Sequence, residues 1–248
     1  MPLFVQAGLW GLLSGSALLL GAGIAWFTRL PARLVAAVMA FGAGVLISAL
    51  SFDLMDEAHR RGGIVWAGAG FVAGAAIYTA ANLALARYGA RHRKHSGEEQ
   101  AEDGGGGTAI AVGALLDGIP ESVVIGVSLL GGGGVSLTAV VAVFLSNLPE
   151  GLSSAEGMRK AGRSAAYVFG VWGGIALASG VAAMLGALVF GETGPGIVAF
   201  VTAVAAGAIL AMIADTMIPE AFAAARDYAG LITAAGFLAA FVLSRLGG

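Results

Sequence analysis

Three acidic residues, Asp117, Glu121 and Glu150, stand within stretches that are otherwise almost wholly apolar. They belong to two related segments, Asp117-Gly118-Ile119-Pro120-Glu121-Ser122 and Ser146-Asn147-Leu148-Pro149-Glu150-Gly151. Each has a polar head, two intervening positions, a proline and a glutamate. On a helix, Asp117 and Glu121 share a face, as do Ser146 and Glu150, and Asn147 lies three positions from Glu150 on the same side. Pro120 and Pro149 have no amide hydrogen, which frees the carbonyls of Leu116 and Leu145 one turn earlier. Carboxylates beside freed carbonyls are oxygen-rich surroundings suited to a cation. An ionised Asp at the centre of a lipid-embedded helix costs about 2.5–3.5 kcal/mol on insertion scales, so three such acids demand protons, buried water or a cation. The competing reading is a pair of proline-kinked helices whose protonated glutamates bond to neighbouring helices.

A second pair of related segments is Leu54-Met55-Asp56-Glu57-Ala58 and Met217-Ile218-Pro219-Glu220-Ala221. In the orientation derived below, the first ends a span on the outside and the second ends one on the inside. Related segments in opposite orientation are the trace an inverted-topology repeat leaves in sequence. Asp53, Asp215 and Glu220 are the candidates for ion access and release, Asp53 and Asp215 being placed the deeper. Asp56, Glu57 and Asp227 read as solvated helix ends.

The elements that position these acids follow from charge-free runs. Of 248 residues, 58% are hydrophobic and 11% charged, against roughly 25% charged in soluble domains. No Asp, Glu, Lys or Arg occurs in Met1–Thr28, Leu34–Phe52, Gly62–Ala86, Ser164–Gly191, Thr193–Ala214 or Ala229–Ser244. Most of these approach or exceed the ~20 residues that cross a hydrocarbon core. Eight spans are expected, at about 3–28, 34–55, 63–87, 108–130, 135–158, 165–190, 195–219 and 228–246. The short Gly131–Gly134 connection makes the fourth and fifth an antiparallel hairpin, so both Pro-Glu segments can meet at one depth. Connections after odd-numbered spans hold ten of the 13 Lys and Arg, which places them in the cytoplasm and both termini outside.

Residues 88–107 are the one soluble-looking stretch, basic, then acidic, then Gly104–Gly107, and read as a flexible cytoplasmic loop inside a single transmembrane domain spanning 1–248. Its His92 and His95 read as part of a solvated linker. Gly11/Gly15, Gly70/Gly74 and Gly170/Gly174 have the small-xxx-small spacing of close helix contact. They are read as tight packing; a homodimer is allowed, but no dimer face is assigned.

The net charge of −2 argues against a polybasic nucleic-acid binder. The absence of cysteine excludes thiolate metal sites, thiol nucleophiles and disulfides. No cleavable signal peptide is expected, the first basic residue being Arg29. An intramembrane metallohydrolase is disfavoured, because there is no HExxH helix and no His or Lys near the midplane to act as base. The chain is not expected to be an enzyme or to use an organic cofactor.

Eight spans, outside termini, a charged loop after the third span and Pro-Glu segments in the fourth and fifth resemble the ZIP (Zrt/Irt-like) family of divalent-metal transporters. The resemblance covers essentially the whole chain, including Phe41–Glu57 and Ala214–Ala221. Asn147-Leu148-Pro149-Glu150-Gly151 is its most specific element, close to the family's His-Asn-x-Pro-Glu-Gly pattern, and Asp117–Ser122 matches that pattern more loosely. Where the family usually heads each segment with histidine, this chain has Asp117 and Ser146. Gly118 replaces the usual Asn, and Ser164–Gly191 lacks the carboxylate the sixth span often supplies.

The resemblance implies an all-α polytopic membrane fold of eight transmembrane helices in a 3+2+3 inverted repeat. It implies a primary metal position at Asp117, Glu121, Ser146 and Glu150, and a weakened second one at Asn147 sharing the two glutamates. Spans 1, 4, 5 and 6 would carry the ion against the rest in an elevator-like motion, without ATP. The substrate would be Zn2+, Fe2+ or Mn2+, moved toward the cytoplasm across an inner (plasma) membrane, with the lipid bilayer as the other partner. An all-oxygen shell pulls toward manganese or another hard ion, whereas zinc or ferrous iron is the family default. A transport-inactive homologue that senses metal or scaffolds partners is the alternative.

Overall fold

The structure is a computed structural model and describes residues 1–87, 107–131 and 134–246. Among these residues there is no strand. The helices are α1 (Leu3–Phe27), α2 (Ala32–Ala49), α3 (Met55–Arg87), α4 (Gly107–Ser128), α5 (Leu137–Lys160), α6 (Ala165–Phe190), α7 (Pro195–Met212), α8 (Ile218–Ala225) and α9 (Ala229–Leu246). Stretch 88–107 lies outside the described residues, except for Gly107, the first residue of α4.

Five helical runs are long and apolar enough to cross a membrane: Leu3–Phe27, Ala32–Leu85, Leu137–Lys160, Ala165–Phe190 and Pro195–Leu246. Their outer faces carry Leu9, Leu13, Leu20, Val72, Leu177, Leu188, Leu231 and Leu238, all exposed. Exposed apolar surface on that scale belongs against lipid. Five runs are fewer than the eight expected spans. The 54- and 52-residue runs would measure about 80 Å if straight, far beyond the ~30 Å hydrocarbon core. Neither is straight: Gly63 (φ 73°, ψ 179°) breaks the first and Arg226 (φ 47°, ψ −122°) the second. Only glycine enters the first conformation without strain. Helix α4, which carries Asp117 and Glu121, is not among the five.

Two boundaries differ from the sequence expectation. Helix continues past residue 55 to Gly62 and takes in Asp56, Glu57 and the exposed His59. Pairs at helical spacing support that extension, Arg60 with Asp56 (3.4 Å) and Glu57 (3.0 Å), and Arg61 with Glu57 (2.5 Å). Likewise the chain stays helical beyond 219 to Ala225.

Single π turns interrupt the helices at Leu50–Leu54 and Ile213–Met217, where unbroken spans were expected. The Ser51 hydroxyl donates to the Ile47 carbonyl (2.7 Å), and the Thr216 hydroxyl to that of Met212 (2.6 Å). Each takes an acceptor the α-helical amide would use, which favours a locally widened turn. The two π turns are related by a step of 163 positions (213 − 50), the step that also joins Leu54 to Met217 and the two Glu-Ala segments.

Helix crossings follow the same correspondence. A Cβ on Gly44 would run into the Thr233 carbonyl, and one on Gly236 into that of Phe41, so α2 and α9 meet backbone to backbone. Helices α7 and α3 repeat this crossing: Gly207 faces the Phe71 carbonyl and Gly74 that of Val204. Phe41 and Gly44 map onto Val204 and Gly207 by the same 163 (204 − 41). In α1 and α5, Gly21 faces the Leu148 carbonyl and Gly151 that of Leu18; in α4 and α6, Gly126 faces the Ala183 carbonyl and Gly186 that of Val123. Small residues permit this closeness, which drives helix association where lipid removes the hydrophobic incentive. The tight-packing reading fits Gly11, Gly15, Gly70 and Gly74, but Gly170 and Gly174 face open space.

Helices α1, α4, α5 and α6 pack among themselves, α3 packs with α7 and α2 with α9, and α5 on α2 and α4 on α7 join the two groups. The larger core joins Met39, Leu46, Leu50, Ile209, Met212 and Ile213; a second, around Leu18, Leu152, Val168 and Trp172, holds α1, α5 and α6 together. Arg159 of α5 donates to the Trp26 carbonyl (2.9 Å) at the C-terminal end of α1, where a cation offsets the helix dipole.

Candidate functional site

Both Pro-Glu segments fall inside continuous helices, α4 and α5, which run through Pro120 and Pro149. Asp117, Glu121, Ser146, Asn147 and Glu150 are all buried. Buried carboxylates need polar partners. Glu121 accepts a hydrogen bond from the Ser146 hydroxyl (3.2 Å), a contact that joins the two segments across the α4/α5 interface. The same hydroxyl also reaches the Val143 carbonyl at 2.9 Å.

Two other members of the expected set reach other helices. Asp117 Oδ1 accepts from the Tyr78 hydroxyl of α3 at 2.6 Å. Asn147 donates through Nδ2 to the Ser14 carbonyl of α1 at 3.1 Å. Among the described residues, no three His, Asp or Glu side chains converge as a metal-holding group. Of the primary position, Glu121 and Ser146 thus meet, and Asp117 bonds to α3.

The backbone on α5 is crowded by α2. A Cβ on Gly42 would lie 3.1 Å from the Leu145 oxygen, the carbonyl freed by Pro149. Gly42 lets α2 close over that oxygen.

The candidates for access and release separate. Glu220 is buried and accepts from the Ser153 hydroxyl of α5 at 2.9 Å. Ser153 is wholly buried and lies three positions after Glu150, so Glu220 meets the helix face that carries Ser146 and Glu150. Asp53, in the first π turn, accepts from Ser244 of α9 at 2.8 Å, while its Oδ2 and the buried Ser48 hydroxyl find no hydrogen-bond partner among the described residues. Asp215, in the second π turn, is exposed.

Two participants escaped the sequence reading. Ser153 extends the series Ser146, Glu150 at helical spacing, so its position was available in the pattern. Tyr78 carried no such signal, because it stands 39 residues before Asp117 in an apolar run.

Compared with models of protein families and with curated protein sequences, the chain matches none.

Proposed function

We propose that this chain is a divalent-cation transporter that moves metal across an inner membrane toward the cytoplasm, as its resemblance to the ZIP family suggests. The observation that carries this reading is the buried Glu121–Ser146 contact between two proline-containing helices. Intramembrane acids of this kind mark ion pathways. Glu121 and Glu150 would bridge the cation, Asp117 would add charge, and Ser146 or Asn147 would complete an all-oxygen shell.

Eight spans are supported by the breaks at Gly63 and Arg226, each dividing one long run, together with α4. Matched π turns and matched glycine crossings favour a 3+2+3 inverted repeat. One feature falls outside that symmetry. The step from Gly126 to Gly151 is about one turn shorter than that from Glu121 to Glu150, so the two motifs are offset relative to the crossings. An elevator-like motion of α1, α4, α5 and α6 against the other helices would slide the α5/α2 and α4/α7 contacts. Ser153 and Glu220 would form a further oxygen station between Glu150 and the cytoplasmic side.

Uptake of Zn2+, Mn2+, Fe2+ and Cd2+ into proteoliposomes tests the reading. Saturable flux is expected from the wild-type chain and none from Glu121→Ala/Glu150→Ala. Flux that survives the double substitution would remove the site assignment. Binding without flux in the wild-type chain would favour the sensor or scaffold reading, to which the heads Asp117 and Ser146, neither a histidine, lend support.

A further inference from the structure

Tyr78 is the most consequential residue near the site that the transport reading leaves without a role. It sits on α3, which packs along α7, whereas Asp117 sits on α4, which packs along α6. The two side chains are each 1% exposed, and their oxygens are 2.6 Å apart. That length lies in the range of about 2.5–2.7 Å for hydroxyl donors on a carboxylate. A phenylalanine would fill the same space without the bond.

The surroundings make this contact stand out. A cavity of about 180 Å³ separates the same helices, lined by Ile77, Leu116, Ile119, Pro120, Val123 and Val204 among others. These side chains are wholly apolar, and Tyr78, whose hydroxyl reaches Asp117, lies at the edge of the same cavity. On its other side α4 is pressed against α6, where Gly126 meets the Ala183 carbonyl. Helix α4 is therefore close-packed toward α6, and toward α3 and α7 it joins the core through Val124 and carries the phenol–carboxylate bond beside the cavity. Four positions further along α4, Glu121 already faces Ser146.

We propose that Tyr78 is a positioning residue that holds Asp117 away from the cation position while that position is empty and releases it when a divalent cation arrives. This rests on the transport reading above and adds a ligand switch to it. Drawing Asp117 toward the ion breaks its bond to the phenol, so cation binding loosens α4 from α3. An ion shifts a conformational equilibrium only through its different affinity for the two states. Here the difference is the liberated carboxylate, and breaking the phenol bond subtracts from the affinity.

The test uses the purified full-length chain in nanodiscs, with Zn2+ and Mn2+ as probes in equilibrium binding. Tyr78→Phe is expected to tighten binding about tenfold, the loss of one hydrogen bond to a charged group. Asp117→Ala, which removes both the ligand and the acceptor, is expected to weaken binding, and adding Tyr78→Phe to it should then have no effect. Affinity unchanged or weakened in Tyr78→Phe, or an equal shift with and without Asp117, would overturn the switch. Glu121→Ala separates the two layers: undiminished binding there removes the cation site itself, whatever Tyr78 does. Binding of neither ion by the wild-type chain overturns both.

A second measurement needs no altered tyrosine. The chain contains no cysteine, so Ile77→Cys and Ile119→Cys can carry spin labels in an otherwise native protein. Saturating Zn2+ is expected to lengthen the label-to-label distance, and an unchanged distance counts against the switch.

Discussion

The buried acids differ in what surrounds them. Glu121 and Ser146 join the two proline-bearing helices, whereas Asp117 and Asn147 are drawn to α3 and α1. Glu220 and Asp215 lie close in sequence, yet one is buried against Ser153 and the other is exposed. Glu220→Gln keeps a carbonyl for the Ser153 hydroxyl but removes a charge facing the α5 polar stripe. Proteoliposome uptake should fall several-fold with folding intact, while Asp215→Asn should leave uptake unchanged. Equal effects of the two substitutions would show that burial does not distinguish them. The acids and their spacing were legible in the sequence, since carboxylates in apolar runs are costly and visible there. Tyr78 and the Ser14 carbonyl were not, because a partner supplied by a distant helix leaves no periodic trace.

Each helix crossing depends on an atom that is absent. At α3/α7, Gly207 admits the Phe71 carbonyl where any side chain would collide with it, while Gly68 of α3 faces open space. Gly207→Val should destabilise by about 1–3 kcal/mol, the typical cost of overpacking, whereas Gly68→Ala should be neutral or slightly stabilising. Thermal unfolding in detergent compares the two. Helix positions were largely legible from charge-free runs, and the expected 165–190 coincides with Ala165–Phe190. The π turns were not, because they arise when Ser51 and Thr216 hydroxyls compete with backbone amides. Nor did spacing alone separate Gly70 and Gly74, which pack, from Gly170 and Gly174, which do not.

For the whole molecule, orientation and proton competition give two further outcomes. Arg163 and Glu192 are exposed near opposite ends of α6. With both termini outside, a membrane-impermeant thiol reagent should label Glu192→Cys in intact cells and Arg163→Cys only after permeabilisation. Labelling of both from one side would break the span count, and the reverse pattern would invert the topology. Protons and cations compete for the same carboxylate oxygens, so apparent affinity should fall as pH is lowered. Initial uptake rates at fixed ion concentration across a pH series read this directly, and a rate independent of pH would remove the carboxylates from the binding step.

By itself the sequence determined that the chain is helical and lipid-embedded, since runs this long and apolar have no other way to satisfy their backbone. It also located the Pro-Glu segments, because the unfavourable burial of acids and the missing proline amide are properties of the residues themselves. Only the tertiary structure decided which acid faces which helix. That Glu121 turns to Ser146, Asp117 to Tyr78 and Glu220 to Ser153 depends on which glycines let which helices approach. Close approach is a relation between two surfaces brought together from far apart in the chain, and no single stretch of sequence contains it.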